Sequence, residues 1–339
     1  MTLDPAARRA EPARGGQQHS FIDDLPKAEL HLHLEGTLEP ALKSELARRN
    51  NLPLPPAYSF SDLTSFLAAY YGGIALLRTE QDFYDLAMAY FCKASAQHVV
   101  YAEVFFDPQA HTSRGVGFGE VIAGFDRARV EAGATLGLQA QLIMCFLRDQ
   151  PVGDAMRTLE QAAPYRDKII GVGLDSDERD NPPIAFAEVF AAARAEGYRL
   201  TVHCDVDQAD SVDHIWQCVD DIGVDRIDHG VNCMEDPALI ARLQHDGIGL
   251  TVCPISNRCV TDGLKAAELT GMLQHELKAT VNSDDPAYFG GYITENLQAV
   301  SQQASLTTEE IVRLTRNAFD IAWLPEPARQ SMIAKAFTR

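Results

Sequence analysis

The sequence predicts an α/β protein of the (β/α)8 class, a TIM barrel with extra helices. Eight short apolar segments alternate with segments of helical spacing, and polar side chains recur directly after nearly all of the apolar segments. An open, doubly wound sheet is the alternative architecture. No Gly-x-Gly-x-x-Gly follows an early strand, and the polar residues do not gather at one switch point, so the barrel is favoured.

The predicted strands are short and mostly apolar. In chain order they cover residues 28–36, 99–106, 138–146, 169–175, 199–203, 226–230, 249–254 and 279–285. The helices predicted between them cover residues 119–132, 152–163, 183–195, 210–221, 237–245 and 264–277. Because strand and helix keep alternating, the pattern predicts parallel strands joined by helical crossovers.

Further helices are predicted outside this repeat. They cover residues 38–49, 60–71, 79–97 and 308–322. The helices at 60–71 and 79–97 indicate a helical insertion over one end of the fold, and the helix at 308–322 closes it. No linker divides the chain, so residues 21–339 are expected to form a single domain, with residues 1–20, rich in Ala, Arg, Gly and Gln, as a disordered N-terminal extension.

Composition narrows the classes of partner. The chain has 29 Lys and Arg against 48 Asp and Glu, a formal net charge of −19, which disfavours nucleic acid and anionic membrane surfaces and favours a small molecule. Its seven cysteines form no Cys-x-x-Cys pair and are expected to be reduced thiols of a cytoplasmic protein. No apolar run approaches the length of a membrane span, and the first residues lack the apolar core of a signal peptide.

A His-x-His pair lies on the first predicted strand. Successive side chains of a strand point to opposite faces, so His31 and His33 project from one face and three leucines from the other. Two neighbouring imidazoles suit a divalent metal. By itself the pair is also compatible with the polar face of an ordinary strand.

Other polar residues follow the later strands. They are Asp175 after strand four, His203 after strand five, His229 after strand six, and Asp284 and Asp285 after strand eight. Each alone has an ordinary structural explanation, such as a hydrogen-bonded core histidine or the start of a turn. A barrel brings the carboxyl ends of its strands to one face, so together they predict one site.

The chemistry of this set points to a mononuclear metal centre. Three imidazoles, from His31, His33 and His203, with the Asp284 carboxylate provide nitrogen and oxygen ligands for zinc, although iron(II) and manganese are not excluded. Such a metal lowers the pKa of water to near neutrality. His229 would then orient or deprotonate that water, which predicts a hydrolase.

Four ordered segments carry a family resemblance. Residues 26–37, 226–230, 250–257 and 281–286 resemble the adenosine and adenine deaminase family of the amidohydrolase superfamily, and the resemblance runs from about residue 25 to residue 322. Residues 105–109 and 287–292 are more similar to the bacterial enzymes that act on free adenine.

The resemblance implies a function and a role for each residue. It implies hydrolytic deamination of a 6-aminopurine (adenine, an N6-substituted adenine or adenosine) with release of ammonia. It also implies one Zn²⁺ per chain on the four ligands named above, with His229 assisting the attacking water. Asp285 is expected to meet the purine at N7, and the loop around Asp175 and Ser176 at the N3 edge.

One segment departs from the family pattern. The family has His-Ala-Gly-Glu after strand five, and its Glu protonates N1; this chain has Val206 at that position. Asp207 is the expected substitute, and Asp205 is a weaker candidate because it lies closer to the metal. The alternatives are a deaminase of another amino-heterocycle and a purine-binding protein with little or no turnover.

Overall fold

The computed structural model describes residues 14–59, 63–261 and 263–337. Its eight parallel strands follow one another in chain order around a single sheet. They are β1 Lys27–Glu29, β2 Val99–Phe106, β3 Gln139–Leu147, β4 Ile169–Asp175, β5 Arg199–Cys204, β6 Arg226–His229, β7 Gly249–Val252 and β8 Lys278–Val281. This order is the predicted (β/α)8 barrel, so the fold prediction is confirmed. Within the described residues, no helix is long and apolar enough to cross a bilayer.

Contacts beyond β1 and β8 bring the two ends of the sheet together. Regular β1 ends at Glu29, so it is shorter than the predicted first strand. The chain after it stays extended, with single bridges from Leu32 to Asp284 and from His33 to Phe105. The His-x-His segment therefore runs between the end of β8 and β2.

The α-helices surround the barrel. They cover Arg14–Asp24, Pro40–Arg49, Leu63–Ile74, Glu80–Ala96, Pro108–Thr112, Phe118–Thr135, Val152–Ala162, Ala187–Ala195, Ser211–Gln217, Pro237–Asp246, Pro254–Val260, Ala266–Gln274, Pro286–Phe289, Ile293–Ala304, Thr308–Ile321 and Glu326–Phe337. Short 3-10 turns at Glu35–Thr37, Ala163–Lys168, Pro183–Phe186 and Val231–Glu235 and a π-helical turn at Cys218–Ile222 complete them.

Several of these helices were not predicted. Helix Arg14–Asp24 overlaps the expected N-terminal extension, and its Gln18 Nε2 donates to the Leu306 carbonyl oxygen at 2.6 Å. Residues 1–13 of that extension lie outside the described residues. Three short helices start with proline directly after a strand end, at Pro108, Pro254 and Pro286. Proline suits the first helical position because its missing N–H would be unpaired there, so this signal was available in the sequence.

A long helix of the insertion packs very closely against the long helix that connects β2 to β3. Helix Glu80–Ala96 meets helix Phe118–Thr135 at Gly124, where an added Cβ would lie 2.4 Å from the Glu80 carbonyl oxygen and 2.7 Å from Phe83 Cβ. The backbones can approach this far only because Gly124 has no side chain.

We expect Gly124→Ala to lower the free energy of unfolding by about 1–3 kcal/mol, because the added methyl group forces the helices apart. Gly133→Ala is the matched control. Gly133 lies on the same helix, is exposed, and has nothing closer than the Leu138 carbonyl oxygen at 3.8 Å. That change is expected to stabilise by about 0.5–1 kcal/mol through helix propensity. Urea unfolding measures both, and equal stabilities for the two variants would contradict the close packing.

Candidate active site

Three imidazole nitrogens meet at the carboxyl-terminal end of the barrel. His203 Nε2 lies 3.1 Å from both His31 Nε2 and His33 Nε2. Asp284 Oδ1 lies 3.3 Å from His31 Nε2 and 3.5 Å from His33 Nε2. The four side chains that were predicted to converge are therefore in contact with one another, although the chain separates His31 from Asp284 by the whole barrel.

The other ring nitrogen of His31 and of His203 faces a hydrogen-bond acceptor. His31 Nδ1 is 2.9 Å from Thr251 Oγ1, and Thr251 in turn donates to Asp228 at 2.8 Å. His203 Nδ1 is 3.0 Å from the Leu174 carbonyl oxygen. Because Thr251 uses its proton on Asp228, it accepts from His31. These bonds place the ring protons on Nδ1 and leave the Nε2 lone pairs facing one another.

Burial and mutual charge set the protonation states of the cluster. Burial lowers the pKa of His31 and, together with the neighbouring imidazoles, holds the pKa of His203 well below its usual range. Burial alone would favour the neutral acid at Asp284. The surrounding histidines outweigh that effect and hold its pKa well below the ordinary value. Neutral imidazoles and an ionised carboxylate are the forms that bind a metal.

The spacing of these donors also fits a metal. Atoms bound to zinc at about 2.0–2.1 Å in tetrahedral positions lie about 3.3–3.4 Å apart. The separations in the cluster, 3.1 to 3.5 Å, are close to that value. Atoms that present lone pairs or negative charge repel one another in a buried site. A cation bound among them stabilises such a short spacing. The donor set therefore fits a divalent ion with nitrogen preference.

His229 lies beside the cluster, at the end of β6. Its Nε2 is 3.7 Å from Asp284 Oδ2 and 3.3 Å from Asp205 Oδ1, and its Nδ1 is buried without a hydrogen bond. Its backbone has φ of 58°, in the left-handed region, which is uncommon for a residue other than glycine. The ring lies next to His31 and Asp284 of the cluster.

A cavity of about 90 Å³ opens over the cluster and is lined in part by Asp175, Ser176, His229, Asp284 and Asp285. It is several times the space that one water molecule needs, so a small heterocycle can enter. Asp285 Oδ1 is buried and makes no hydrogen bond.

Close packing holds Asp285 in this position. An added Cβ at Gly36 would lie 2.0 Å from Asp285 Oδ1. Glycine is therefore required there. Asp285, predicted to meet N7, and Asp175 and Ser176, predicted to meet the N3 edge, line the same cavity as His203 and Asp284.

A family model for adenosine deaminase matches residues 26–338. The chain belongs to the adenosine deaminase family. It is 51% identical over 322 residues to an adenine deaminase of Rhodospirillum rubrum, a match that covers 92% of this chain and 96% of that protein. It is 52% identical over 318 residues to a protein of Schizosaccharomyces pombe described as an uncharacterized deaminase, which covers 91% and 94%.

Solved structures agree with this assignment. An adenine deaminase of Arthrobacter aurescens superimposes with a TM-score of 0.88 at 38% identity, covering 93% of this chain and 98% of that one. A Burkholderia ambifaria amidohydrolase solved with bound Zn gives a TM-score of 0.87 at 27% identity and covers 97% and 94%.

The loop after β5 of this family member carries both carboxylates that were considered as the proton donor. The Asp207 side chain is exposed, although the residue borders the cavity, and its Oδ1 accepts a bond from Gln208 at 2.8 Å. Asp205 instead lies next to His229, with 23% of its side chain exposed. Burial raises the pKa of Asp205 to about 7. Val206 is buried between them and lines the cavity.

Sequence reasoning missed the residues inside the barrel that hydrogen-bond next to this site. Asp228 is fully buried inside the barrel and accepts bonds from Thr201 at 2.6 Å and Thr251 at 2.8 Å. Asp228 was visible as a buried acid next to His229, one position before a predicted site residue. Thr251 sits in the middle of an apolar strand, and nothing in the sequence marks it.

The Thr251 hydroxyl provides a direct test of the cluster. We expect Thr251→Val to weaken zinc affinity about 10- to 100-fold, because His31 Nδ1 loses its acceptor and the ring its orientation. Thr251→Ser keeps the hydroxyl, so its zinc affinity should stay close to that of the wild-type protein. Competition for zinc against a chromophoric chelator measures both affinities. Equal affinities for the Val and Ser variants would show that this bond does not orient the ligand.

Proposed function

We propose that this protein is a zinc-dependent hydrolytic deaminase of a 6-aminopurine, with adenine or an N6-substituted adenine as substrate and ammonia as product. One observation carries the proposal: three imidazole nitrogens and a carboxylate lie 3.1 to 3.5 Å apart at the base of a small cavity, beside a further histidine. The adenine deaminase names of its relatives support the choice of substrate.

Four side chains would hold one zinc ion per chain, namely His31, His33, His203 and Asp284. Zinc in such a site supplies hydroxide at neutral pH by lowering the pKa of water. His229, next to the cluster, would orient the attacking hydroxide and take up its proton. Attack of the hydroxide oxygen on C6, with a proton delivered to N1, would give a tetrahedral carbon. The hydroxyl proton taken up by His229 would then pass to the amino group, so that the C6–N bond breaks, ammonia leaves and C6–O becomes a carbonyl.

Asp285, Asp175 and Ser176 would position the ring. The Asp285 carboxyl group is suited to the N7 position of the purine, since its Oδ1 is buried and has no protein partner, and the O–H of the neutral acid can donate to the N7 lone pair. Ser176 Oγ lies 3.0 Å from the Tyr71 hydroxyl, and Asp175 Oδ2 lies 3.5 Å from His33 Nδ1. Both line the cavity, which supports the proposal that they meet the N3 edge of the purine.

The residue that protonates N1 has to be identified by experiment, because Val206 stands where the family has its proton-donating Glu. Asp207, the residue favoured from sequence, borders the cavity but bonds Gln208. Asp205 is 3.3 Å from His229 Nε2, so a proton could pass between them without a change of backbone. The geometry supports Asp205 over Asp207 for this role.

We also propose a single domain over residues 21–339 and a location in the cytoplasm. All seven cysteines, Cys92, Cys145, Cys204, Cys218, Cys233, Cys253 and Cys259, are free thiols. This supports a reducing compartment.

The function is tested by the ultraviolet spectrum. Zinc-loaded protein incubated with adenine, adenosine or isopentenyladenine should convert at least one of the free bases to its oxo product. Stripping the metal with a chelator should abolish turnover, and added zinc should restore it. A melting temperature that rises with added purine, without any change in the ultraviolet spectrum, would instead indicate a purine-binding protein.

A pair of matched variants distinguishes the roles of the Asp205 and Asp207 carboxylates. We expect Asp205→Asn to lower kcat about 100-fold or more with zinc retained, because a general acid typically contributes 10²- to 10⁴-fold. Asp207→Asn should change kcat less than threefold, since that side chain is exposed. The reverse pattern would return the role to Asp207. Metal content of both variants is measured alongside the rates.

A further inference from the structure

We propose that Tyr71 makes this protein selective for free purine bases over purines that carry a group on N9, such as nucleosides. Its phenol ring closes the cavity at the place where a substituent on N9 would leave the purine. The inference rests on the proposed function and deepens it, because it names the class of 6-aminopurine that the site accepts and the side chain that sets this choice.

The orientation of the substrate in the proposed function places N9 near Ser176. The reaction requires C6 at the metal cluster, and the proposed contacts are Asp285 at N7 and Ser176 at N3. N3 and N9 are both bonded to C4 of the purine, so they lie side by side on one edge of the ring. A group attached to N9 therefore leaves the purine next to Ser176, on the side away from C6.

Tyr71 occupies this side of the cavity. Its hydroxyl lies 3.0 Å from Ser176 Oγ, and its side chain lines the cavity over the metal cluster. Helix Leu63–Ile74, which carries Tyr71, also places Phe66 and Tyr70 on the cavity wall. The insertion thus covers the end of the cavity toward which N9 points.

Two contacts hold the Tyr71 ring in place. One is the hydrogen bond between its hydroxyl and Ser176. The other is a T-shaped contact with the Tyr70 ring, with centroids 5.5 Å apart, and Tyr70 in turn donates to Asp107 at 3.1 Å. Burial raises the pKa of Tyr71 above its ordinary value, so the phenol stays neutral at any working pH. The ring is therefore a fixed part of the wall.

A second cavity lies behind this wall. It has a volume of about 470 Å³, and Tyr71 and Leu147 line both cavities, so these two side chains form the partition between them. The second cavity also has polar side chains on its wall, among them Thr112, Arg114 and Gln150. Space suited to a hydroxyl-bearing group such as ribose thus exists next to the site, and Tyr71 closes it off. A side chain placed against a competing ligand gives selectivity by steric exclusion.

The test compares each free base with its riboside. Values of kcat/KM are measured with zinc-loaded protein from the ultraviolet spectrum, for adenine with adenosine and for isopentenyladenine with its riboside. The wild-type protein should favour the free base of each pair. We expect Tyr71→Ala to raise the ratio of riboside to free-base kcat/KM about ten- to hundredfold, the typical effect of relieving a steric clash. An unchanged ratio in the folded alanine variant would overturn the inference.

Three further variants keep the result interpretable. Tyr71→Leu shortens the side chain but keeps it apolar, so it should raise the ratio even where the alanine variant unfolds. Tyr71→Phe keeps the ring and should leave the ratio unchanged. Gln150→Ala alters the second cavity alone and should also leave it unchanged. A rise in the phenylalanine variant equal to that in the alanine variant would show that the ring is not the barrier.

Failure of the inference is distinguishable from failure of the proposed function. Absence of turnover of both free bases by the zinc-loaded wild-type protein would refute the proposed function. Turnover of a free base together with equal turnover of its riboside would refute the role of Tyr71 alone.

Discussion

The site depends on the backbone hydrogen bonds that join the His-x-His segment to the end of β8. The Asp284 N–H donates to the His31 carbonyl oxygen at 3.1 Å, and the His33 N–H donates to the Asp284 carbonyl oxygen at 3.1 Å. Three of the four proposed metal ligands therefore share one pair of bonds. Because the same bonds bring the ends of the sheet together, the barrel and the metal site form together.

Burial decides the chemistry of the groups that surround this junction. Four imidazoles lie close to one another, with ring centroids 4.6 Å apart for His31 and His229 and 4.7 Å for His31 and His203. Low dielectric disfavours charging several of them at once, while Asp284 and Asp228 supply negative charge beside them. Neutral nitrogen ligands and a fixed carboxylate follow from this balance. The barrel of this chain thus places these groups where they are buried.

Much of the architecture and of the metal cluster could be predicted from the sequence, because parallel strands bring their ends to one face. The strands β2 and β4 coincide with their predicted ranges. The short helices after β2, β7 and β8 were missed, since only their leading prolines distinguish them from loops. Hydrophobic periodicity could not decide which carboxylate after β5 acts as the proton donor, because a loop can turn either Asp205 or Asp207 inward.

The sequence by itself determined the fold class and predicted which side chains form the four-residue cluster proposed to bind zinc, because apolar periodicity and the position of polar residues after strands are local properties. Tertiary structure decided which carboxylate lies beside His229 and which hydroxyl pairs with the His31 ring. These are distances between side chains on different strands and loops. They depend on packing around the closed barrel, which no local pattern encodes.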